Sequence, residues 1–208
     1  MSKSPVLGYV KTRMQPHLRQ EESLNLHIAL VQYCLQQWQM VDDFSIHLWI
    51  AGDVDKFRSD ILLPMQDSFF KHCYLHSQPE SDLGERMLFA VNSRFKEHDG
   101  GVFLVGTDCP FINKDYLSLA TAALDNNDVV LGPATDGGYV LLAMKTPHAA
   151  LFIDISWGSS SVLAQTQSII QKERLQCVLL PPLPDIDEAC DLKHLHGCEV
   201  FADYQCLS

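Results

Sequence analysis

The sequence predicts an α/β fold, a three-layer α/β/α sandwich with a mainly parallel central sheet. Helical and strand-like segments alternate along the chain, the strand-like runs are short and apolar, and the helical segments carry apolar residues at spacings of three and four. The length of 208 residues, of which 47% are hydrophobic and 20% charged, suits one folded domain over residues 1–208.

The predicted elements follow in a regular order. An apolar stripe of Leu24, Ile28, Val31, Leu35 and Trp38 predicts the first helix, and a nearly continuous apolar run at 101–106 predicts a strand covered on both faces. Helices are predicted at residues 21–39, 54–63, 83–98, 116–124, 160–175 and 188–195. Strands are predicted at residues 44–51, 72–77, 101–106, 128–131, 139–144 and 177–180.

The composition excludes several classes of function. A formal net charge of −11 argues against non-specific binding to nucleic acid or to an anionic membrane. The apolar runs are too short to span a bilayer and no apolar leader opens the chain, so we expect a cytoplasmic location. The seven cysteines contain no C-x-x-C pair, which argues against a disulfide framework or a zinc ribbon and favours small buried side chains.

The loop over residues 5–13 is the first candidate for a binding site. Ligands of such folds bind at the carboxyl ends of the strands, where loops replace the buried backbone. Gly8 is followed closely by Lys11, Thr12 and Arg13, and backbone N–H groups beside two cations form a binding place for phosphate. The alternative is an N-terminal tail with solvated charges.

Two further segments carry acidic residues suited to a divalent metal. Thr107 and Asp108 follow the apolar run at 101–106, and a carboxylate there can hold Mg²⁺ or Mn²⁺ against a diphosphate. The alternative for Asp108 is a turn or a helix N-cap. Asp185 and Asp187 alternate, so only one of them faces a metal at Asp108 if the segment is extended. Asp187 also suits the N-cap of the last helix.

The segment over residues 132–139 is the third candidate. Its adjacent glycines, Gly137 and Gly138, let the backbone approach a ligand closely, and Asp136 and Tyr139 supply an acceptor and a hydroxyl group. A tight hairpin turn is the alternative, and it is compatible with a site.

Trp157 lies in a polar loop, where it either stacks on a ligand ring or packs within the fold. His27 is read as a partly buried or surface residue rather than a ligand.

Six motifs occur in one order along nearly the whole chain: Pro5 to Met14, Ser81 to Met87, Gly106 to Pro110, Gly132 to Tyr139, Ile155 to Gly158 and Asp185 to Leu192. Together they resemble a bacterial family of glycosyltransferase-like proteins with the GT-A, or nucleotide-diphospho-sugar transferase, fold. This family was long classed as a domain of unknown function, and some members are linked with arsenosugar biosynthesis. The fold is shared with guanylyltransferases of cofactor synthesis.

The resemblance implies roles for these residues. Lys11 and Arg13 would hold the diphosphate, Asp108 would be a metal ligand, and Asp185 or Asp187 would complete the metal shell. Asp136, Gly137, Gly138 and Tyr139 would shape the pocket for the donor sugar or acceptor, and Asp82, Glu85 and Arg86 would lie at its edge. The metal and the cations would stabilise charge on the departing nucleoside diphosphate, and Asp136 would serve as base toward an acceptor hydroxyl.

Two features depart from the family pattern. Ser81 replaces a glycine, which a helix N-terminus tolerates. The buried strand that precedes the first motif in the family is reduced here to Met1 to Ser4, so we expect a missing or truncated first strand.

Three functions therefore stand as hypotheses. The first is a metal-dependent glycosyltransferase that uses a nucleotide sugar. The second is a nucleotidyltransferase, although its usual Gly-rich, Arg-containing loop is absent. The third is a catalytically impaired nucleotide-binding or scaffold protein. The nucleotide base, donor sugar, acceptor and oligomeric state stay open.

Overall fold

The chain folds into α/β structure in the computed structural model, which describes residues 1–41, 44–65 and 73–205. Its residues divide into two compact units, and each is described by itself. The first unit comprises Met1–Ser77, Thr107–Lys114 and Pro184–Ser208, and the second comprises Gln78–Gly106 and Asp115–Leu183. No helix within the described ranges is both long enough and apolar enough to cross a membrane.

A parallel sheet of three strands organises the first unit. Strand β1 is Ser2–Lys3, β2 is Ile46–Ala51 and β3 is Cys73–Ser77, in the order β1-β2-β3. The sequence predicted a missing or truncated first strand. Strand β1 is present, and its two residues pair in parallel with Ile50 and Ala51 of β2. The short helix α2, Val54–Phe57, follows β2, and a wider helical turn continues from it over Arg58–Leu62.

Helix α1, Gln20–Trp38, supplies much of the core of the first unit. Its buried positions recur every three or four residues, and they include Val31, Leu35 and Trp38 of the predicted apolar stripe. Leu24 and Ile28 of that stripe are only partly buried. Leu26 and Leu30 pack in one cluster with Met14 and Leu18 before the helix and with side chains of the C-terminal segment: Ile186, Leu192, Leu195 and Phe201. This cluster fixes the segment around Ile186 against α1, and that segment carries two of the predicted site residues.

The second unit is built on a sheet of four strands in the order β4-β6-β5-β7. Strand β4 is Val102–Val105, β5 is Val129–Pro133, β6 is Tyr139–Met144 and β7 is Cys177–Leu179. Strand β6 runs antiparallel to both β4 and β5, and β7 runs parallel to β5. The helices of this unit are α3, Leu83–Glu97, α4, Lys114–Leu124, which begins at the last residue of the first unit, and α5, Val162–Lys172.

Most predicted elements occur within a few residues of their expected bounds, but the burial of the strands differs. Strand β4 was expected to be covered on both faces, yet it ends the strand order and all its residues are only partly buried. The buried strands are β5 and β6, which lie in the middle of the sheet. An apolar sequence marks a strand but does not give its place in the sheet.

Other predictions need correction in detail. The last predicted helix is a 3₁₀ helix over Ala189–Leu195, followed by a 3₁₀ turn over Glu199–Phe201 and the short helix α6, Ala202–Gln205. The predicted strand at 72–77 begins at Cys73, and residue 72 lies outside the described residues. Of the six cysteines described as free thiols, only Cys34 and Cys109 are fully buried, so the expectation of mostly buried cysteines is wrong for this part of the chain.

Candidate functional site

Lys11 is the centre of the first group of predicted site residues. It precedes a 3₁₀ helix over Thr12–Met14, and its backbone is left-handed with φ of 49°. Its side chain is only 3% exposed. The ammonium group donates a very short hydrogen bond to the main-chain oxygen of Ile186 and lies 2.5 Å from Oδ1 of Asp108. The alternative of a tail with solvated charges does not hold for Lys11, because its charge is buried and paired.

Asp108 lies in a turn, as one reading of the sequence allowed, and its two oxygens are in different surroundings. Oδ1 is buried and forms a close ion pair with the Lys11 ammonium group. The side chain as a whole is 48% exposed, so its accessible surface lies mainly beyond Oδ1. Burial raises the pKa of Asp108, but the nearby charge of Lys11, with smaller effects of His27 and Lys3, outweighs burial and lowers it. The carboxylate is therefore held ionised.

A second ion pair lies beside the first. Arg13 Nη1 donates to Asp187 Oδ2 at 2.7 Å, and both side chains are substantially exposed. The main-chain N–H of Ile186 donates to the main-chain oxygen of Asp108 at 2.9 Å. This bond fastens the segment with Asp185 and Asp187 next to Asp108. The first unit thus brings Lys11, Arg13, Asp108 and Asp187 together.

The segment over residues 185–191 is held by the carboxylate of Asp191. Asp191 Oδ2 accepts hydrogen bonds from the main-chain N–H groups of Asp187 at 3.1 Å and Glu188 at 2.7 Å. Glu188, not Asp187, is the N-cap residue of the 3₁₀ helix. Asp187 is therefore not the N-cap residue that the sequence allowed it to be. Its side chain pairs with Arg13 instead.

The acidic residues of this group are too few to hold a metal ion with protein ligands alone. Among the described residues, no group of three or more His, Cys, Asp and Glu side chains is arranged to hold a metal ion. Mg²⁺ commonly takes only one or two carboxylates and completes its octahedron with water and substrate phosphates. Asp108 has an accessible carboxylate surface, and the bond from Ile186 keeps the segment of Asp185 and Asp187 beside it. This donor set fits such a cation.

His27 and Thr107 also lie near Asp108. His27 on α1 is 4% exposed, more buried than expected, and its Nε2 donates to the main-chain oxygen of Lys3 at 3.0 Å. Burial lowers the pKa of His27, and the charge of Asp108 opposes this effect. Thr107 is 2% exposed and its hydroxyl bonds to that of Ser2 at 3.0 Å, so it is a structural residue in this arrangement. His27 lies on the buried face of α1, and its position in that helix could have indicated its burial from the sequence.

The second group of predicted residues belongs to the second unit and starts with the loop between β5 and β6. The two strands form the hairpin that was one reading of this segment. Asp136 Oδ1 accepts the main-chain N–H of Gly138 at 2.8 Å, while the side chain is exposed. Gly137 has a positive φ of 96°, and a Cβ there would lie 2.2 Å from the main-chain oxygen of Ser160. Glycine is required at this position because no side chain fits.

The aromatic residues Tyr139 and Trp157 lie next to this loop in the same unit. Their rings meet edge to face, with centroids 6.2 Å apart. Burial raises the pKa of Tyr139 strongly, and the nearby Thr166 hydroxyl opposes it without forming a fully aligned hydrogen bond. A Cβ on Gly84 would lie 2.6 Å from Nε1 of Trp157, so glycine at the start of α3 lets the indole approach the helix.

The remaining predicted residues of this unit have local bonds. Asp82 is the N-cap of α3, and its Oδ1 accepts the main-chain N–H of Glu85 at 2.9 Å. Arg86 donates from Nε to the main-chain oxygen of Asp82 at 3.2 Å and from Nη1 to Gln78 at 3.2 Å. The cap explains this motif structurally, and a binding role for Glu85 and Arg86 stays a prediction.

Comparison with solved structures supports the fold. The chain is similar to a protein from Desulfovibrio desulfuricans G20 described as a "putative nucleotide-diphospho-sugar transferase", with a TM-score of 0.85 and 26% identity over 99% of this chain and 93% of that chain. Rv0371c from Mycobacterium tuberculosis H37Rv matches with a TM-score of 0.54 and 12% identity over 80% of this chain and 82% of that chain. A homologue of it from Mycobacterium sp. strain JC1 matches with a TM-score of 0.54 and 13% identity over 86% and 84%. The two mycobacterial likenesses concern the fold alone.

The curated proteins and the family models give two further results. No curated protein matches the chain. One family model matches residues 34–159, more than half of the chain, and it includes Asp108, Asp136 and Trp157. The chain therefore belongs to the DUF2064 family, whose description is "Uncharacterized protein conserved in bacteria".

Proposed function

We propose that this protein is a divalent-metal-dependent glycosyltransferase that takes its sugar from a nucleotide-diphosphate sugar. The observation that carries the proposal is the joint placement of Lys11, Arg13, Asp108 and Asp187 in the first unit. Two cations beside two carboxylates are the groups needed to bind a diphosphate together with Mg²⁺ or Mn²⁺. The likeness to the Desulfovibrio desulfuricans protein supports the same class of substrate.

The proposed reaction exchanges one bond at the anomeric carbon of the sugar. The bond from this carbon to the diphosphate oxygen breaks, a bond to the acceptor oxygen forms, and the acceptor hydroxyl loses its proton to a base. Arg13 is exposed enough to reach phosphate oxygens and would stabilise the charge left on the departing diphosphate. A bound Mg²⁺ or Mn²⁺, held by Asp108 with Asp185 or Asp187, would supply further electrostatic stabilisation of that charge.

Residues of the second unit are proposed to contact the sugar or the acceptor. Asp136 presents an exposed carboxylate on a loop of fixed shape and is the proposed base. Tyr139 and Trp157 offer a hydroxyl and an aromatic surface. Gly137 and Gly138 shape the loop backbone, and Asp82, Glu85 and Arg86 are proposed to bind at its edge.

Calorimetric titration tests the proposal. UDP, GDP and their sugars are added to the protein with and without Mn²⁺, and we expect binding of one nucleotide class that depends on the metal. Asp108→Asn should abolish this binding, because the amide is a poor ligand for a hard cation. Asparagine is preferable to alanine, since it keeps a polar atom beside the buried Lys11 ammonium.

A matched control is available in the same unit. Asp60 forms an ion pair of 2.6 Å with Lys56, one turn away on the surface. Asp60→Asn should leave nucleotide binding unchanged while making the same chemical substitution. Absence of metal-dependent binding for every nucleotide tested would overturn the proposed function, and binding that survives in Asp108→Asn would overturn the assignment of the metal ligand.

A further inference from the structure

The ion pairs of the first unit connect predicted phosphate-binding cations with predicted metal-binding carboxylates. The sequence assigned the cations to phosphate and the carboxylates to metal, but in the structure each cation pairs with one carboxylate. Lys11 pairs with Asp108, and Arg13 pairs with Asp187. The formal charges of these four residues therefore cancel, so the four together offer neither a metal alone nor a phosphate alone a net opposite charge.

We propose that these two pairs exclude a divalent metal from the free protein and make its binding depend on the simultaneous arrival of the diphosphate. The proposal rests on the proposed function for the identity of the second ligand. When both ligands are present, the negative charge of the phosphates compensates the two cations, and the carboxylates bind the metal. Lys11 and Arg13 then serve as positioning residues that couple the two binding events.

The Lys11–Asp108 pair is the stronger part of this arrangement. The Lys11 side chain is 3% exposed and is fixed from a second direction by the main-chain oxygen of Ile186. A divalent cation on Asp108 would lie within a few ångströms of this fixed ammonium group, and repulsion between like charges is large where water is excluded. A diphosphate removes the repulsion, because its negative charge faces both cations.

The Arg13–Asp187 pair contributes less, because it is exposed. Its side chains are 57% and 38% accessible, and exposed ion pairs are weak and easily exchanged. This pair is free to swing from carboxylate to phosphate without disturbing the core. We therefore expect Lys11 to account for most of the coupling between metal binding and diphosphate binding, and Arg13 to account for less.

The reciprocity of binding free energies makes the proposal measurable. If a nucleoside diphosphate raises the affinity for Mn²⁺, then Mn²⁺ must raise the affinity for the nucleotide by the same factor. For the wild-type protein we expect this factor to be at least tenfold. Removing Lys11 should strengthen the binding of Mn²⁺ alone and reduce the factor.

The experiment is a titration of nucleotide-free protein with Mn²⁺. The electron paramagnetic resonance signal of free Mn²⁺ measures how much of the ion remains unbound. Lys11→Met replaces the ammonium by an apolar group of similar length and should bind Mn²⁺ at least tenfold more tightly than the wild type. Arg13→Met, on the surface, should bind it about threefold more tightly. Lys56→Met is the matched control, because it removes a lysine from a Lys–Asp pair elsewhere in the same unit and should change nothing.

The outcomes separate this inference from the proposed function. Equal Mn²⁺ affinity in the wild type and Lys11→Met would overturn the inference, whatever the nucleotide does. If Lys11→Met fails to fold, as judged by circular dichroism, unchanged Mn²⁺ affinity in Arg13→Met overturns it equally. If Mn²⁺ affinity rises in the variants while no nucleotide binds to any protein, the control of metal binding stands and the proposed function fails.

Discussion

The imidazole of His27 donates from Nε2 to the main-chain oxygen of Lys3 at 3.0 Å and is almost completely buried. This bond connects helix α1 to strand β1, the two-residue strand that precedes the loop with Lys11. Because burial lowers the pKa of His27, the ring is neutral in the folded protein over a range of pH where it is protonated after unfolding.

His27 should therefore make the stability of the protein depend on pH. Its contribution is fully present above the unfolded pKa of about 6.5 and is lost as the pH falls toward the lower folded pKa, with a slope of up to about 1.4 kcal/mol per pH unit. His27→Gln keeps an N–H donor for Lys3 but does not titrate. Urea unfolding from about pH 7 to 5 should show the wild type losing more stability than the variant. Two parallel curves would contradict this role of His27.

Gly137 and Gly158 allow a test of close packing in the candidate loop with an internal control. Both have positive φ, 96° and 80°, but a Cβ on Gly137 would collide with the main chain of Ser160, whereas a Cβ on Gly158 would meet nothing within 4 Å. Gly137→Ala should lower the free energy of unfolding by about 2–4 kcal/mol, the sum of backbone strain and overpacking. Gly158→Ala should cost about 1 kcal/mol from backbone strain alone. Chemical denaturation of the variants measures both, and equal losses would argue against the collision.

The sequence was informative about the site because chain order and chemistry agree. The rule that ligands bind at the carboxyl ends of strands selected the loops with Lys11, Asp108 and Asp187. In the structure Lys11 pairs with Asp108, and the segment that carries Asp187 bonds to Asp108 through Ile186. The sequence Asp136-Gly137-Gly138 also has the composition of a turn, and these residues lie in the turn between β5 and β6.

The pairing of the charges could not be predicted. It depends on the left-handed backbone of Lys11, on the main-chain oxygen of Ile186 and on the hydrogen bond that the main-chain N–H of Asp187 donates to Asp191. None of these is encoded in spacing. The place of β4 at the end of the strand order was equally hidden, because an apolar run has the same sequence character in the middle of a sheet and at its end.

Trp157 should report ligand binding by its fluorescence. It is half-buried against Tyr139, whereas Trp38 and Trp49 are each 6% exposed, so a ligand has access to the ring of Trp157 in preference to the other two. A nucleotide sugar with Mn²⁺ should change the emission of the wild type, and Trp157→Phe should lose most of this change while keeping the aromatic contact with Tyr139. Emission that changes equally in the variant would place the ligand away from Trp157.

Asp136→Asn isolates the proposed base from the structure of its loop. The carboxylate Oδ1 accepts the N–H of Gly138, and an asparagine oxygen accepts the same bond, so the loop should keep its shape while the proton acceptor is lost. Turnover should fall by about 10²-fold or more, the usual contribution of general base catalysis, with nucleotide affinity unchanged.

The reaction to follow is the slow hydrolysis of the nucleotide sugar, in which water takes the place of the acceptor and the released nucleoside diphosphate is measured. Asp136→Ala serves as the structural comparison, because it loses the bond to Gly138 as well as the carboxylate. If asparagine preserves turnover and alanine does not, the role of Asp136 is to hold the loop and the base is another group. A loss of turnover that is equal in both variants, with Kd for the nucleotide unchanged in Asp136→Asn, supports Asp136 as the base.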